Sequence, residues 1–584
     1  TTNCTGALSG NYTVGTSTSD FATVNAAVSS LKTCGVSGPV NFLLQGGVHN
    51  NTTIMLNAIS GASSTNTISF IGGSVAADTL RDIYSLGAAI DLDGASYITF
   101  KNLSLQYSNA TRFLWMHNAC DYITFDSVNF IGLSSTSSAK NLIVASSSAT
   151  SVLSAANNVS HFTLKNCVLN GGYHAVMIFG QRSSNKNSGF VLENNTFSNN
   201  YFYGIRMYNV DEVLVKGNKL NPTSSTSYGI VLSNVDDYDV IGNEASGGNY
   251  ALYMEQAEVS GIAASRSSIV NNMFVSGKYG MYFSTVKNTD IYHNSIFGEQ
   301  KGVYMTGNFN KTFEFVNNIV STNLGEVIYT TDVPTLALYD YNVYHTNSTG
   351  TAFAFGTNTY ANLAAWQTGV TTDNDSSLFG DPMFIAPNDL RISLGTLPNN
   401  KGDNSVNVLV DIDGNVRPAT GATRVDIGAY EYTPALSDFG MTSATLHSSL
   451  CLSQNDTVQI VVTNVSGSTA DLTTDSIVVN WTVSGPINSS GALVANTGSL
   501  MVGASRTLMA TNVNMSMPGL YTLNAHIAPS AYNTYLTNDT ADAYTRNIYK
   551  NWNVTPMSDS ILTITDSVDL SARAAFFGLS LIHI

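Results

Sequence analysis

A chain of 584 residues exceeds what one ordinary core organises, so several domains or one long repetitive domain are expected. Only 11 % of the residues are charged while 43 % are apolar, a profile that is neither disordered nor collagen-like and reads as β-rich. Acidic residues outnumber basic ones 40 to 24, for a net charge of −16, and such a surface repels polyphosphate, which argues against nucleic acid as a partner. The start, TTNCTGALSG, has neither a basic nor an apolar leader region, as expected of a chain left by signal cleavage. No apolar run approaches the roughly 20 residues needed to span a bilayer, so no transmembrane segment is expected in this fragment. The five cysteines show no C-x-x-C spacing, which argues against zinc-ribbon and thioredoxin-type sites. Cys4 and Cys34 either pair across the N-terminal segment in an oxidising compartment or remain buried thiols. DFATVNAAVSSLKTCG predicts an amphipathic helix with Asp20 as N-cap, Phe21, Val24, Val28 and Leu31 on one face, and Gly35 past its end. Residues 1–39 are read as a cap whose helix covers the raw edge of the first repeat.

A repeat follows. Its anchors are Leu103, Val128, Cys167, Asn195, Asn218, Asn243, Asn272, Asn294, Asn318 and Asn342. Three positions earlier stand Phe100, Phe125, Leu164, Leu192, Val215, Val240, Ile269, Ile291, Phe315 and Tyr339; two positions later stand Leu105, Phe130, Leu169, Phe197, Leu220, Ala245, Phe274, Ile296, Val320 and Tyr344. Both columns must face a core. Offsets of minus three and plus two cannot share one pleat, so the chain must bend near the anchor, with the asparagine placed in the corner. Stacked asparagines from Asn195 to Asn342 are expected to hydrogen-bond one another in a ladder. A second strand follows in YGIRM, YGIVL, YALYM, YGMYF and KGVYM, where Ile205, Ile230, Leu252, Met281 and Val303 form another inward column. Each coil buries its face only by stacking on its neighbours. The absence of an L-x-x-L-x-L frame rejects a leucine-rich repeat.

The pattern resembles right-handed parallel β-helices of the pectate-lyase-like kind over residues 40–372. At roughly 4.8 Å per coil, the registered coils alone would extend on the order of 50 Å. The entry stretch LSGNYTVGTSTSDFATVNAAVSSLKTCGVSGPVNFLLQGG is similar to that of large secreted β-helix proteins from gliding and surface-colonising bacteria. DPMF, NKGDN and DIDGNVRP…DIGAYEY within 373–435 resemble the closing segment of the same group. The resemblance implies a secreted or cell-surface location and type IX secretion. Beyond Pro434 the period stops, and DTVQIVVTNV, SIVVNWTVSG and GLYTLNAHIA alternate as strands of an immunoglobulin-like β-sandwich over 436–552, without the Cys…Trp…Cys hallmark. Residues 553–584 read as the start of a further module. The last six, LSLIHI, match one reading frame of a sequencing adapter, so the natural chain is expected to continue differently.

β-Helix lyases and hydrolases use clustered carboxylates with a base, or Ca²⁺ with Arg or Lys. The clearest cluster is Asp211 and Glu212 with Asp236 and Asp237 one coil on, a candidate Ca²⁺ site; the plainer reading is of solvated turns splayed outward. An Asp-Asp pair at 236–237 lacks the Asn-Thr-Asp, Gly-His-Gly and Arg-x-Lys companions of polygalacturonases. Outward positions of the second strand hold Arg206, Val231, Tyr253, Tyr282 and Tyr304, with Glu255 beyond Tyr253. This stripe either stacks on sugar rings or packs on itself across strands. His174 is read as a satisfied turn residue in preference to a catalytic base, and Asp411, Asp413 and Asp426 as turn-stabilising acids in preference to Ca²⁺ ligands. No nucleotide or zinc-hydrolase motif is present, and the long 131–160 stretch is where unforeseen groups could enter. The preferred function is an adhesin-like monomeric rod binding a polysaccharide or cell-surface glycan without catalysis. The alternatives are a polysaccharide lyase or glycoside hydrolase, and a purely structural fibre.

Overall fold

The computed structural model describes residues 6–549 apart from 52, 84–86, 108–109, 134, 156–158, 182–185, 258–265, 308–312, 332–336, 371–375, 394–395, 420–421, 433–437, 448–451, 467 and 530–537. The chain divides into two compact units, Thr1–Thr433 and Pro434–Ile584.

The first unit is a parallel β-helix. One sheet carries two short strand rows per coil, as in Val210–Lys216 and Lys219–Leu220, and pairs coil to coil in parallel. A second sheet stacks the other strand of each coil, among them Tyr203–Tyr208, Tyr228–Ser233 and Tyr250–Ala257. All three inward columns are buried as expected, with Val215, Val240 and Ile205 at 0 % exposure. Aromatic members of the first column stack at the coil spacing: Phe42, Phe70, Phe100 and Phe125 follow one another at 5.0, 5.1 and 5.0 Å.

The asparagine ladder is continuous. Asn195 Nδ2 donates to Asn218 Oδ1 at 2.9 Å, and the same bond repeats from Asn218 to Asn243, Asn243 to Asn272, Asn272 to Asn294, Asn294 to Asn318 and Asn318 to Asn342. Each backbone N–H donates to that oxygen as well, so a ladder Oδ1 accepts twice. The second amide hydrogen of Asn218 goes back to Leu192 O at 2.8 Å, in the coil before. The bend itself sits one residue before the ladder, a correction to the expected corner. Asn194, Gly217, Gly242, Asn271, His293, Asn317 and Tyr341 all have φ between 52° and 64°. This left-handed step redirects the chain, and asparagine and glycine enter it at least cost.

The N-terminal helix spans Val24–Cys34 and buries Val24, Ala27, Val28 and Leu31. Its N-cap is Thr23, whose side chain accepts from Ala26 N, whereas Asp20 instead binds Thr13 N and Oγ1 at 2.7 and 2.8 Å. Phe21 precedes the helix and bridges Val14. Strand Leu8–Val14 pairs in parallel with Val36–Leu44, so the cap already contains a coil strand. Cys34 is disulfide-bonded; Cys4, its expected partner, lies outside the described residues. The far end is closed by a second helix, Leu363–Gly369, absent from the sequence reading. Its fully buried Trp366 meets Tyr339, Phe353, Phe355 and Tyr360 at ring distances of 4.9–5.9 Å.

The segment after residue 380 runs back along the two-row sheet. Asn271 Nδ2 donates to Val410 O at 2.6 Å, Gly428 N to Asn317 O at 2.8 Å and Ala429 N to Ser295 Oγ at 3.0 Å. Its anchor is an ion pair of Arg417 with Glu431, 3.0 Å long and wholly buried.

The second unit is a β-sandwich. Strands Phe439–His447, Ser453–Asn464 and Ser505–Met515 form one antiparallel sheet; Ile477–Ser484, Ser489–Ala495, Gly519–Ile527 and Tyr544–Ile548 form the other. Val458, Ile460, Val479, Trp481, Tyr521 and Leu523 share its core. Residues 553–584, including LSLIHI, lie outside the described residues. Among the described residues no helix is long and apolar enough to cross a membrane.

Candidate ligand-binding face

The single-row sheet carries the residues that can meet a ligand. Its strands Arg112–His117, Asn141–Ala145, His174–Phe179 and Tyr203–Tyr208 are consecutive neighbours, and register puts Arg112 beside Asn141, Asn141 beside His174 and His174 beside Tyr203. Leu114, Ile143, Val176 and Ile205 point into the core, which fixes the orientation of the row. The loop after Ala145 folds back over these strands. Trp115 Nε1 donates to Ser146 O at 2.7 Å, Ser146 Oγ to Ser151 O at 2.5 Å and Arg112 Nη2 to Ser151 O at 3.1 Å. Together they border an open cavity of about 670 Å³, within the size range of small-ligand sites. Arg112, Asn141, His174 and Arg206 give it polar groups, and Tyr173 and Phe202 give it aromatic walls.

Several polar atoms here lack a partner among the described residues. Arg112 Nη1, Asn141 Oδ1, His174 Nδ1 and Arg206 Nε are buried and make no hydrogen bond with described residues. Arg206 Nη1 donates to Tyr203 Oη at 3.2 Å, and its guanidinium lies 4.9 Å from the Tyr203 ring centroid and 5.5 Å from that of Phe179. Burial, then the Arg206 charge, pushes His174 down to about 3, so its ring is neutral at pH 7. Burial lowers Arg112 below its usual value against the opposing charge of Asp91, whose carboxylate is engaged with His117 at 2.8 Å. His174 therefore opens a strand with an unpartnered nitrogen, which corrects the expectation of a satisfied turn residue. Arg112 and Asn141 were missed because they lie outside the columns anchored on the asparagines. The legible signal was the shared first position of the four strands, bracketed by the 131–160 stretch.

The tyrosine stripe is in register: Tyr253, Tyr282, Tyr304 and, unforeseen, Tyr329 are successive neighbours. A second column runs Tyr203, Tyr228, Tyr250 and Tyr279 beside it. Tyr253 stacks on Tyr282 at 4.7 Å and 4°, Tyr282 on Tyr304 at 5.1 Å and 10°, and Tyr304 on Tyr329 at 4.8 Å and 19°. The rings cover one another's faces, so of the two readings the stripe packs on itself across strands and offers edges and hydroxyls. Val231 is buried, and Glu255 lies 3.5 Å from Tyr253 Oη. Burial raises the Tyr253 and Tyr282 hydroxyls above their ordinary value, which keeps them protonated donors.

The acidic cluster does not converge. Asp236 is buried and meets Lys186 Nζ at 2.6 Å, while Glu212 and Asp237 are exposed, with φ of 49° and 51°. Asp211 pairs in register with Asp236, and burial followed by that neighbour raises its carboxyl. Among the described residues no three His, Cys, Asp or Glu side chains form a metal-holding group. The candidate Ca²⁺ site at Asp211, Glu212, Asp236 and Asp237 is therefore not supported: a lysine, rather than a metal ion, answers the buried acid, and Glu212 and Asp237 are exposed as the plainer reading had them. Asp411 accepts from Asp413 N, Asn415 N and Glu431 N, Asp426 from Asn400 N and Tyr432 N, and Asp413 pairs with Arg391 at 2.8 Å. These three acids hold turns of the segment that runs back along the sheet.

Residues 118–321 match the family model of NosD, described as a periplasmic copper-binding protein. The NosD-like stretch thus covers the coils from Asp121 to Ile319, including most of the asparagine ladder. Among the described residues of that stretch no three His, Cys, Asp or Glu side chains come together as a metal-holding group. Cys120 and Cys167 are buried thiols pushed up by burial to about 11 and about 12, and His293 is bonded to Asn317. Among solved structures, the mannuronan C-5 epimerase AlgE6 A-module of Azotobacter vinelandii is similar at 10 % identity, over 61 % of this chain and 96 % of that one, with a TM-score of 0.36. The AlgE4 A-module from the same organism matches at 12 % identity, over 54 % and 87 %, with a TM-score of 0.27. The PL6 family alginate lyase AlyGC matches at 10 %, over 56 % and 51 %, with a TM-score of 0.25. A search of the curated proteins returns no match.

Proposed function

We propose that the β-helix is a non-catalytic glycan-binding rod, exported to the envelope or cell surface, with the β-sandwich as an immunoglobulin-like spacer. The observation that carries this reading is the cavity on the single-row sheet, with aromatic walls and a row of buried polar groups. Sugars are bound through that mixture, rings against aromatic carbon and hydroxyls on fixed donors and acceptors. The tyrosine columns continue from the cavity along the same sheet and extend the contact with hydroxyl-tipped edges. No Asp or Glu is among the described residues lining the cavity, so the paired carboxylates of glycoside hydrolysis find no counterpart there.

The test is incubation of the whole protein with a panel of acidic and neutral polysaccharides, recording retention and new chain ends together. Retention without cleavage, weakened about tenfold by Phe202→Ala, is the expected result. New chain ends would overturn the non-catalytic reading, and retention of no polysaccharide would overturn glycan binding.

A further inference from the structure

The column of Tyr253, Tyr282, Tyr304 and Tyr329 begins and ends sharply: register puts buried Val231 before it and buried Ala354 after it. All four tyrosines are partly exposed, and their ring centroids follow one another at 4.7, 5.1 and 4.8 Å. The rings stand nearly parallel, so the column presents one ring edge and one hydroxyl per coil, like the rungs of a straight row. The step between rungs is the strand spacing itself, which stacking holds constant. On one side of the column Tyr250 meets both Tyr253 and Tyr282 edge to face at 5.3 Å. On the other side register runs through Glu255, Ser284 and Thr306, and Thr331 Oγ1 donates to Thr306 Oγ1 at 3.0 Å. Large rings beside short hydroxyl side chains make a step that runs parallel to the coil stack. The charges beside it cancel: Lys301 pairs with Glu326, Lys278 lies 4.9 Å from the Tyr279 ring centroid, and Glu255 lies 3.5 Å from Tyr253 Oη.

We infer that this step receives a neutral polysaccharide of extended, β-1,4-linked pyranose residues lying parallel to the coil stack, one residue to each coil. The inference rests on the glycan-binding reading above and names its ligand class. In such a chain every ring is joined equatorially at both ends, so the chain runs straight and each residue advances it by close to one strand spacing. Each residue also turns equatorial hydroxyls to both sides. Successive residues therefore meet successive tyrosine hydroxyls along one edge and Ser284, Thr306 and Thr331 along the other. Contacts that repeat at the period of the ligand add together, and contacts out of period do not. A β-1,3- or α-1,4-linked chain winds, which carries its hydroxyls away from a straight row of rungs. A polyanionic chain gains nothing from a face whose charges cancel, and the net charge of −16 repels it.

The experiment is calorimetric titration of the whole protein with four hexasaccharides: β-1,4-linked glucose, β-1,4-linked N-acetylglucosamine, β-1,3-linked glucose and α-1,4-linked glucose. At least one β-1,4-linked probe is expected to bind about tenfold more tightly than the β-1,3- and α-1,4-linked ones, and which of the two does so names the sugar. Tyr304→Ala, at a partly exposed position within the column, is expected to bring that probe down to the level of the other linkages. The comparison among probes needs no variant, so a poorly folding Tyr304→Ala leaves the test intact. Affinity for both β-1,4-linked probes no greater than for the other linkages overturns the inference and leaves glycan binding standing. A preference that survives Tyr304→Ala overturns its placement on the tyrosine column. Binding of none of the four also overturns the inference, while the polysaccharide panel above decides glycan binding by itself.

Discussion

A buried ladder asparagine has four roles: its Oδ1 accepts two N–H groups from the coil before, and its Nδ2 donates to the coil after and to a carbonyl two coils from that acceptor. Asn243→Ala would orphan Asn218 N, remove one of two bonds from Asn218 Nδ2 and strip a donor from Val215 O. At about 1–3 kcal/mol for a buried group left unsatisfied, the expected loss is about 3 kcal/mol, read as a lowered urea midpoint of the first unit. Asn195→Ala is expected to cost about 1 kcal/mol less, because the residue before it in the ladder is Cys167, which offers only a backbone N–H. Equal losses would mean that the ladder is not the source of the stability. The ladder was legible because one residue type recurs at one place in the coil. Arg112 and Asn141 were not, because each occurs once and gains meaning only from the strands beside it.

At the scale of elements, the inward columns followed from alternation, and the corner shifted by one residue because the sequence cannot distinguish the residue that turns from the residue that bonds. Gly217 and Gly242 hinted at the turning position, where φ is 64°. The helix Leu363–Gly369 is seven residues long and carries little periodic signal, yet it closes the far end of the stack with Trp366. Trp366→Ala would open a cavity among Tyr339, Phe353 and Phe355 and is expected to destabilise the first unit by about 4 kcal/mol. Denaturant unfolding followed by far-ultraviolet dichroism checks this; an unchanged midpoint would deny the helix its capping role. At the other end Thr23 rather than Asp20 takes the N-cap, since Asp20 is occupied by Thr13 across the turn.

Over the whole molecule, the segment that follows the coils is fastened to their side by Arg417, which bonds Glu431, Asn271 Oδ1 and Gly428 O while fully buried. Arg417→Met would leave Glu431 buried beside Asp426 without its cation, at an expected cost of about 3 kcal/mol or more. Limited proteolysis should then cut between residues 381 and 432 well before the coils, whereas Arg417→Met with Glu431→Gln should regain part of the protection. Cutting of the coils at the same rate would show that the segment does not detach as a unit.

The sequence by itself determined the coil, its inward columns, the ladder and the change of architecture after Pro434. Those are repeated patterns, and a pattern constrains every copy at once. Tertiary structure alone decided that the tyrosines present edges, that the acidic turn is answered by Lys186, and that Arg112, Asn141, His174 and Arg206 share one cavity. Ring orientation, ion-pair choice and the convergence of single residues depend on which strands the stacking sets side by side, and local sequence carries no record of that distance.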